Sequence, residues 1–248
     1  MSLLLHHSVV ASKLSNPQAL PPSLLTNLVA WWKLDETSGN RVNCINPGVY
    51  DMTAVGNPAI EAGIISNAYT VTIPDPNYIL RTPNAPVFAA TQDISFHGWV
   101  KLKSGAAFRI ARLLNNIDAA TLHTNYWMNI STDTGGNGSI TVVTSADSIG
   151  GNTAPGGMPY DIFHHIAVTM EYSTKRIKIY LNGGLLANVV AAGQPTDTQA
   201  SCFLSIGQII GANPYVNTSY DEIGFWPNRI ITQADVTALY NNGAGVSP

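Results

Sequence analysis

The chain has 248 residues, 45% of them hydrophobic, enough for one large domain with a sizeable core, whereas charged residues make up only 11%. A net charge of −3 and a pI near 6.0 leave no basic footprint for the phosphates of nucleic acid. No run approaches the ~20 apolar residues of a membrane span, and the ion-poor surface must be covered by hydroxyls, amides and backbone.

Residues 1–27 read as an arm and residues 28–248 as the domain. The opening MSLLLHHSVVASKL lacks a basic n-region, and His6-His7 interrupts its apolar run, so it does not read as a signal peptide. Synthesis in a cytoplasm follows. Pro17, Pro21 and Pro22 forbid a long helix, while Leu3, Leu4, Leu5, Leu14 and Leu20 supply apolar anchors. The arm is therefore expected to dock, on its own domain or on a neighbouring subunit, and its removal to leave a folded domain that no longer assembles.

Residues 28–34 alternate as a strand. The text from 41 to 68 is rich in turn signals, Asn46-Pro47-Gly48 and Gly56-Asn57-Pro58 among them. Short strands follow at 69–73 and 78–81, then a long one at 94–102. Residues 108–114 form another, and 127–131 with 140–144 a hairpin. The glycine-rich stretch 148–159 reads as loop.

The strongest unit is FHHIAVTMEYSTKRIKIYLNGGLL, residues 163–186. Ile166, Val168 and Met170 alternate with Ala167 and Thr169, and Ile177, Ile179 and Leu181 alternate with Lys178 and Tyr180. Asn182-Gly183 is the residue pair that tight turns between antiparallel strands favour. Strands are expected at 185–191, 202–206, 209–210 and 220–226. Thr232 N-caps a closing helix that Gly243 ends, with Asp235 where a capping-box glutamate would stand.

Several of these blocks resemble one family. His165-Ile166-Ala167-Val168-Thr169 followed by Ile179-Tyr180-Leu181-Asn182-Gly183 is similar to the laminin-G-like jelly roll of the concanavalin A-like lectin/glucanase superfamily. Trp99-Val100-Lys101, Leu204-Ser205-Ile206-Gly207, Tyr220-Asp221-Glu222-Ile223-Gly224 and the opening Trp31-Trp32-Lys33-Leu34-Asp35-Glu36 resemble further strands of that family, in the same order. The resemblance implies an all-β fold: a two-sheet antiparallel jelly-roll sandwich with one short C-terminal helix and an extended N-terminal arm. It also implies Asp35 and Asp221 as candidate ligands of a structural Ca²⁺, against the plainer reading that both accept loop amides.

Catalytic patterns are missing. The glutamates Glu36, Glu61, Glu171 and Glu222 lie in separate segments, without the paired-carboxylate spacing that glycoside hydrolysis uses. Asp133-Thr134-Gly135-Gly136-Asn137-Gly138 lacks an acidic residue at its twelfth position, Thr144, and reads as a turn rather than a calcium loop. Cys44 and Cys202 either pair, if the fold brings them together, or stay separate thiols. His164-His165 reads as packing, as do Trp99 and Trp226. Tyr126 and Tyr215, in or beside loops, are the candidates for stacking on sugar or filling a partner's pocket.

The expected function is a non-catalytic structural or adhesion module, at best a decoration or fibre-type protein on a virion surface. Its partners would be proteins of a larger assembly, with a homo-oligomer expected. The alternative is a lectin-like carbohydrate-binding module that meets cell-surface glycan. A glycoside hydrolase stands third.

Overall fold

The computed structural model describes residues 18–55, 59–71, 79–89, 91–104, 110–118, 124–132, 138–144, 148–152, 157–193, 202–207 and 217–248. The described chain opens with β1 (Gln18–Ala19), a single turn of helix α1 (Pro22–Leu25) and β2 (Ala30–Trp32). There follow β3 (Thr53–Val55), β4 (Ala59–Ala62), β5 (Asn67–Val71), β6 (Ile79–Arg81), β7 (Ile94–Leu102), β8 (Ile110–Asp118), β9 (Thr124–Thr132), β10 (Gly138–Thr144) and β11 (Ser148–Asn152). The remainder is β12 (His164–Glu171), β13 (Arg176–Leu181), β14 (Gly184–Val190), β15 (Cys202–Gly207), β16 (Thr218–Pro227), α2 (Gln233–Tyr240) and β17 (Val246–Ser247). The expected all-β jelly-roll sandwich is what forms.

One sheet has seven strands in the order β11-β10-β9-β8-β15-β6-β3. The other has eight, β14-β13-β12-β7-β16-β5-β4, with β2 also paired to β16. The alternation read in residues 163–186 decides what faces what. Ile166, Val168 and Met170 of β12 and Ile177 and Ile179 of β13 point into the space between the sheets, where they meet Tyr126, Met128, Ile130, Ile140 and Val142 of the seven-stranded sheet. Asn182 and Gly183 both take positive φ, 47° and 80°, and close the β13–β14 turn.

The eight-stranded sheet is covered on its outer face too. Ala167 and Tyr180, the off-phase residues of that hairpin, join Trp31 and Trp226 in a second core with Leu20, Leu24, Leu28, Val236 and Leu239. The described part of the amino-terminal segment thus packs on its own domain. Leu20, expected in a docking arm, is 7% exposed and faces inward. Leu20 donates its N–H to the Ser247 carbonyl at 3.1 Å, and β1 runs parallel to β17. The Trp226 indole N–H donates to the Leu24 carbonyl at 2.7 Å, and Arg229 donates to the carbonyls of Ser23 and Thr26. Leu3, Leu4, Leu5 and Leu14 lie outside the described residues.

Other local expectations change. The stretch 148–159, read as loop, contains β11, because Gly150 and Gly151 sit on a sheet edge where they pair with Thr141 and Ile140 of β10. β4 arises within the turn-rich text by pairing with β5. Helix α2 stops at Tyr240 rather than at Gly243, since Asn241 itself adopts the left-handed conformation, φ 45° and ψ 52°. At its start, Thr232 and Asp235 form a complete capping box, the shorter aspartate reaching the Thr232 N–H at 2.9 Å. Cys44 and Cys202 are free thiols. The expected strand at 209–210 lies outside the described residues.

Beneath α2 the outer face of the eight-stranded sheet carries an aromatic cluster. Trp31, His97, Trp99, His165, Trp226 and Tyr240 form it, with ring centroids 4.5 to 6.2 Å apart. His97 Nδ1 lies 3.2 Å from His165 Nε2. Gly224 passes so close that an added Cβ would stand 2.8 Å from both His97 Nε2 and Trp31 Cε3. His165 of the family-like block is therefore a packing residue, and burial pushes its imidazole down to about 3.

Candidate carbohydrate-binding cleft

Among the described residues, the outer face of the seven-stranded sheet carries a concavity large enough for a ligand. Register places it. Thr53 of β3 stands opposite Arg81 of β6, which stands opposite Ser205 of β15, while the next rung, Ala54, Leu80 and Ile206, points into the core. Thr53, Arg81 and Phe203 therefore share the outward face. With Asn40, Asp51 and Asn84 they line a cleft of about 670 Å³, the size range of small-molecule sites. A second cavity, beside Met170 and Tyr172, has only about 20 Å³, room for one water.

Buried polar bonds hold the cleft walls. Asn43, fully buried, accepts from the Trp31 N–H at 3.0 Å and donates to the Val29 and Val49 carbonyls at 3.0 and 2.8 Å. Its own N–H donates to Asp51 Oδ1 at 2.9 Å, and the Gly48 N–H donates to the same oxygen at 3.2 Å. Asp51 is thus held in place from β2 outward. On the other wall, the Thr82 N–H donates to the Leu204 carbonyl at 3.0 Å, and the Leu204 N–H donates to the Thr82 hydroxyl at 3.0 Å. Ala85 adds a bond to the Cys202 carbonyl at 2.9 Å, so Asn84 is carried on a pinned loop. Arg81 is exposed, its guanidinium 5.8 Å from the centroid of the Phe203 ring. Phe203 is only 6% exposed beneath it, so the cleft presents polar donors and acceptors rather than an open ring.

The residues singled out in the sequence lie elsewhere. Tyr126, expected beside a loop and available for stacking, sits on β9 and is fully buried between the sheets, because β9 begins earlier than its apolar run suggests. It is corrected to a core residue. Tyr215 lies outside the described residues.

Asp221 and Glu222 are both fully buried, as is every residue of β16, whose sheet is covered on both faces. A bulge between Asp221 and Gly224, with Glu222 at φ 47°, interrupts the alternation there. Asp221 Oδ2 accepts from the Ile64 and Ile65 N–H groups at 2.7 and 3.1 Å. Glu222 accepts from the Trp31 indole, and Asp35 Oδ1 from the Asn67 N–H at 2.8 Å. Burial, opposed by the two amides, pushes Asp221 up to about 8; burial and then the neighbouring Asp221 push Glu222 to about 8.

That donor set does not fit the Ca²⁺ implied for Asp35 and Asp221. Calcium takes about six to eight oxygens. Here the aspartates already serve loop amides, and among the described residues no three His, Cys, Asp or Glu converge to hold an ion. The melting temperature is expected to be the same in EDTA as in millimolar calcium; a calcium-dependent rise would restore the metal.

Residues 75–237 match the family described as the concanavalin A-like lectin/glucanases superfamily, well over half of the chain. The chain belongs to that superfamily. Solved structures share the fold. One, reporting that cell entry of botulinum neurotoxin type C depends on interaction with two ganglioside molecules, has a TM-score of 0.63 at 10% identity, over 88% of this chain and 52% of that one. The binding domain of Paraclostridial Mosquitocidal Protein 1 gives 0.64 at 16%, over 89% and 53%. Domain 4 of AbnA, a GH43 extracellular arabinanase from Geobacillus stearothermophilus, in complex with arabinotriose, gives 0.61 at 18%, over 85% and 97%. The chain spans about half the length of the first two and nearly all of the third. No curated protein sequence matches it. Within this lectin-like fold, sequence reasoning missed Arg81, Asn84 and Phe203; the available signal was Arg81 ending an apolar strand just before Thr82-Pro83-Asn84.

Proposed function

We propose that this member of the superfamily is a non-catalytic carbohydrate-binding module that holds sugar in the cleft over β3, β6 and β15. The observation that carries the reading is the cleft itself, lined by Arg81, Asp51, Asn40 and Asn84. Hydroxyl-rich ligands need such paired donors and acceptors. A non-catalytic role is supported by the single carboxylate, Asp51, among the described lining residues, because glycosidases generally use two. A glycan array should show binding by the native protein. Asn84→Trp, a change at an exposed position that fills the cleft, should abolish it with the melting temperature kept. Binding that survives the plug, or an array without any response, would overturn the proposal.

A role in a larger particle, such as decoration of a virion surface, is the second reading. It is favoured by the edge strand β14, where Leu185 and Val190 are 50% and 53% exposed and no charged residue or proline guards the edge. A monomer by light scattering at high concentration would count against it.

A further inference from the structure

We infer that the sugar taken by this cleft is acidic: a residue bearing a carboxylate, which Arg81 receives. The inference rests on the carbohydrate reading and names its ligand class. Arg81 is exposed, lies over Phe203 at 5.8 Å, and among the described residues has no carboxylate within salt-bridge distance. Elsewhere in this ion-poor molecule, several described cations have acidic or carbonyl partners. Lys101 and Lys103 pair with Glu61 at 2.9 and 3.1 Å, and Arg229 pairs with Asp235 at 3.3 Å and donates to two carbonyls. A guanidinium placed over a ring face keeps its N–H edge available, and that planar edge matches a carboxylate in a bidentate pair.

Asp51 does not cancel this preference. Its Oδ1 is held by the amides of Asn43 and Gly48, so part of its charge is already met by N–H dipoles. Oδ2 remains to accept a sugar hydroxyl, and Asn40 and Asn84 can donate or accept around it. The cleft therefore offers one cationic fork beside neutral and accepting groups, the complement of a molecule that carries one carboxylate among many hydroxyls.

Matched pairs test the charge separately from the sugar. Titration calorimetry of the full chain would compare trigalacturonate with its carboxyl-reduced counterpart, and sialyllactose with lactose. The acidic member of at least one pair should bind about tenfold more tightly, as a charge-assisted bidentate contact implies. Added salt should shrink that gap. Arg81→Gln should remove the preference, bringing the affinity for the acidic member down to that for the neutral one, with the melting temperature kept. Equal binding of both members in each pair, or a preference that survives Arg81→Gln, overturns the inference. If the two members of each pair bind equally and Asn84→Trp blocks both, the carbohydrate reading stands while the acidic specificity falls. If no glycan of any kind binds, both fall.

Discussion

Removal of the chain through Asn27 should unfold the domain, not trim it. Leu20 and Leu24 lie in the core behind the eight-stranded sheet, and the Leu24 carbonyl satisfies the buried Trp226 indole. Leu24→Ala alone should cost about 2–5 kcal/mol, the range for a fully buried leucine that leaves a cavity. The deletion adds the loss of Leu20 and leaves the buried Trp226 N–H without its acceptor, which costs about 1–3 kcal/mol more. That total rivals the whole stability of an ordinary domain. Urea denaturation should place the midpoint of Leu24→Ala well below that of the native chain, and the deletion should be recovered unfolded or insoluble. A truncated protein melting within a few degrees of the native one would show that this segment only rests on the surface, and would return it to the assembly role expected from its leucines.

Stability should fall as the solution is taken from mildly acidic to mildly alkaline, the reverse of acid denaturation. Asp221 and Glu222 are raised from 3.8 and 4.5 to about 8 by burial, so between those values the unfolded chain has released protons that the folded chain keeps. Their stabilisation is complete below about pH 4 and is lost as pH rises through 8. His97 and His165 work in the opposite sense. Both are lowered by burial, His97 further by His165, and His165 reaches about 3, so they stabilise above 6.5 and lose that contribution as pH falls toward 3. Two carboxyls and two imidazoles nearly offset between about pH 4.5 and 6.5. Above that window the carboxyls act alone, each worth up to about 1.4 kcal/mol per pH unit. A melting-temperature profile should be flat from about pH 4.5 to 6.5, descend to about pH 8, and descend again on the acid side. Asp221→Asn with Glu222→Gln should flatten the alkaline limb. A native profile level from about pH 6 to 8.5 would mean that both groups are ionised inside the fold.

Strands whose period of two is set by one buried face could be read directly. The hairpin of β12 and β13 and the Asn182-Gly183 turn that leads on to β14 form where the sequence places them, and β7 matches residues 94–102. Pairing partners far apart in sequence could not be read. β4 and β11 are made by the strands they join, not by their own residues. The bulge at Glu222 is likewise set by the β7–β16 register. The cleft was the least legible part, because Asn40 and Asp51, Arg81 and Asn84, and Phe203 come from three distant segments that only the order β15-β6-β3 gathers. Tyr126 misled for the converse reason: an aromatic near a predicted loop belongs to the core when its strand extends past the apolar run.

The parallel pairing of β1 with β17 brings the first and last described strands side by side, on the back of the eight-stranded sheet. The cleft opens on the far side of the sandwich, over β3, β6 and β15. A neighbour joined through either strand would hold the domain from behind, like a stalk beneath a cup, with the opening directed outward.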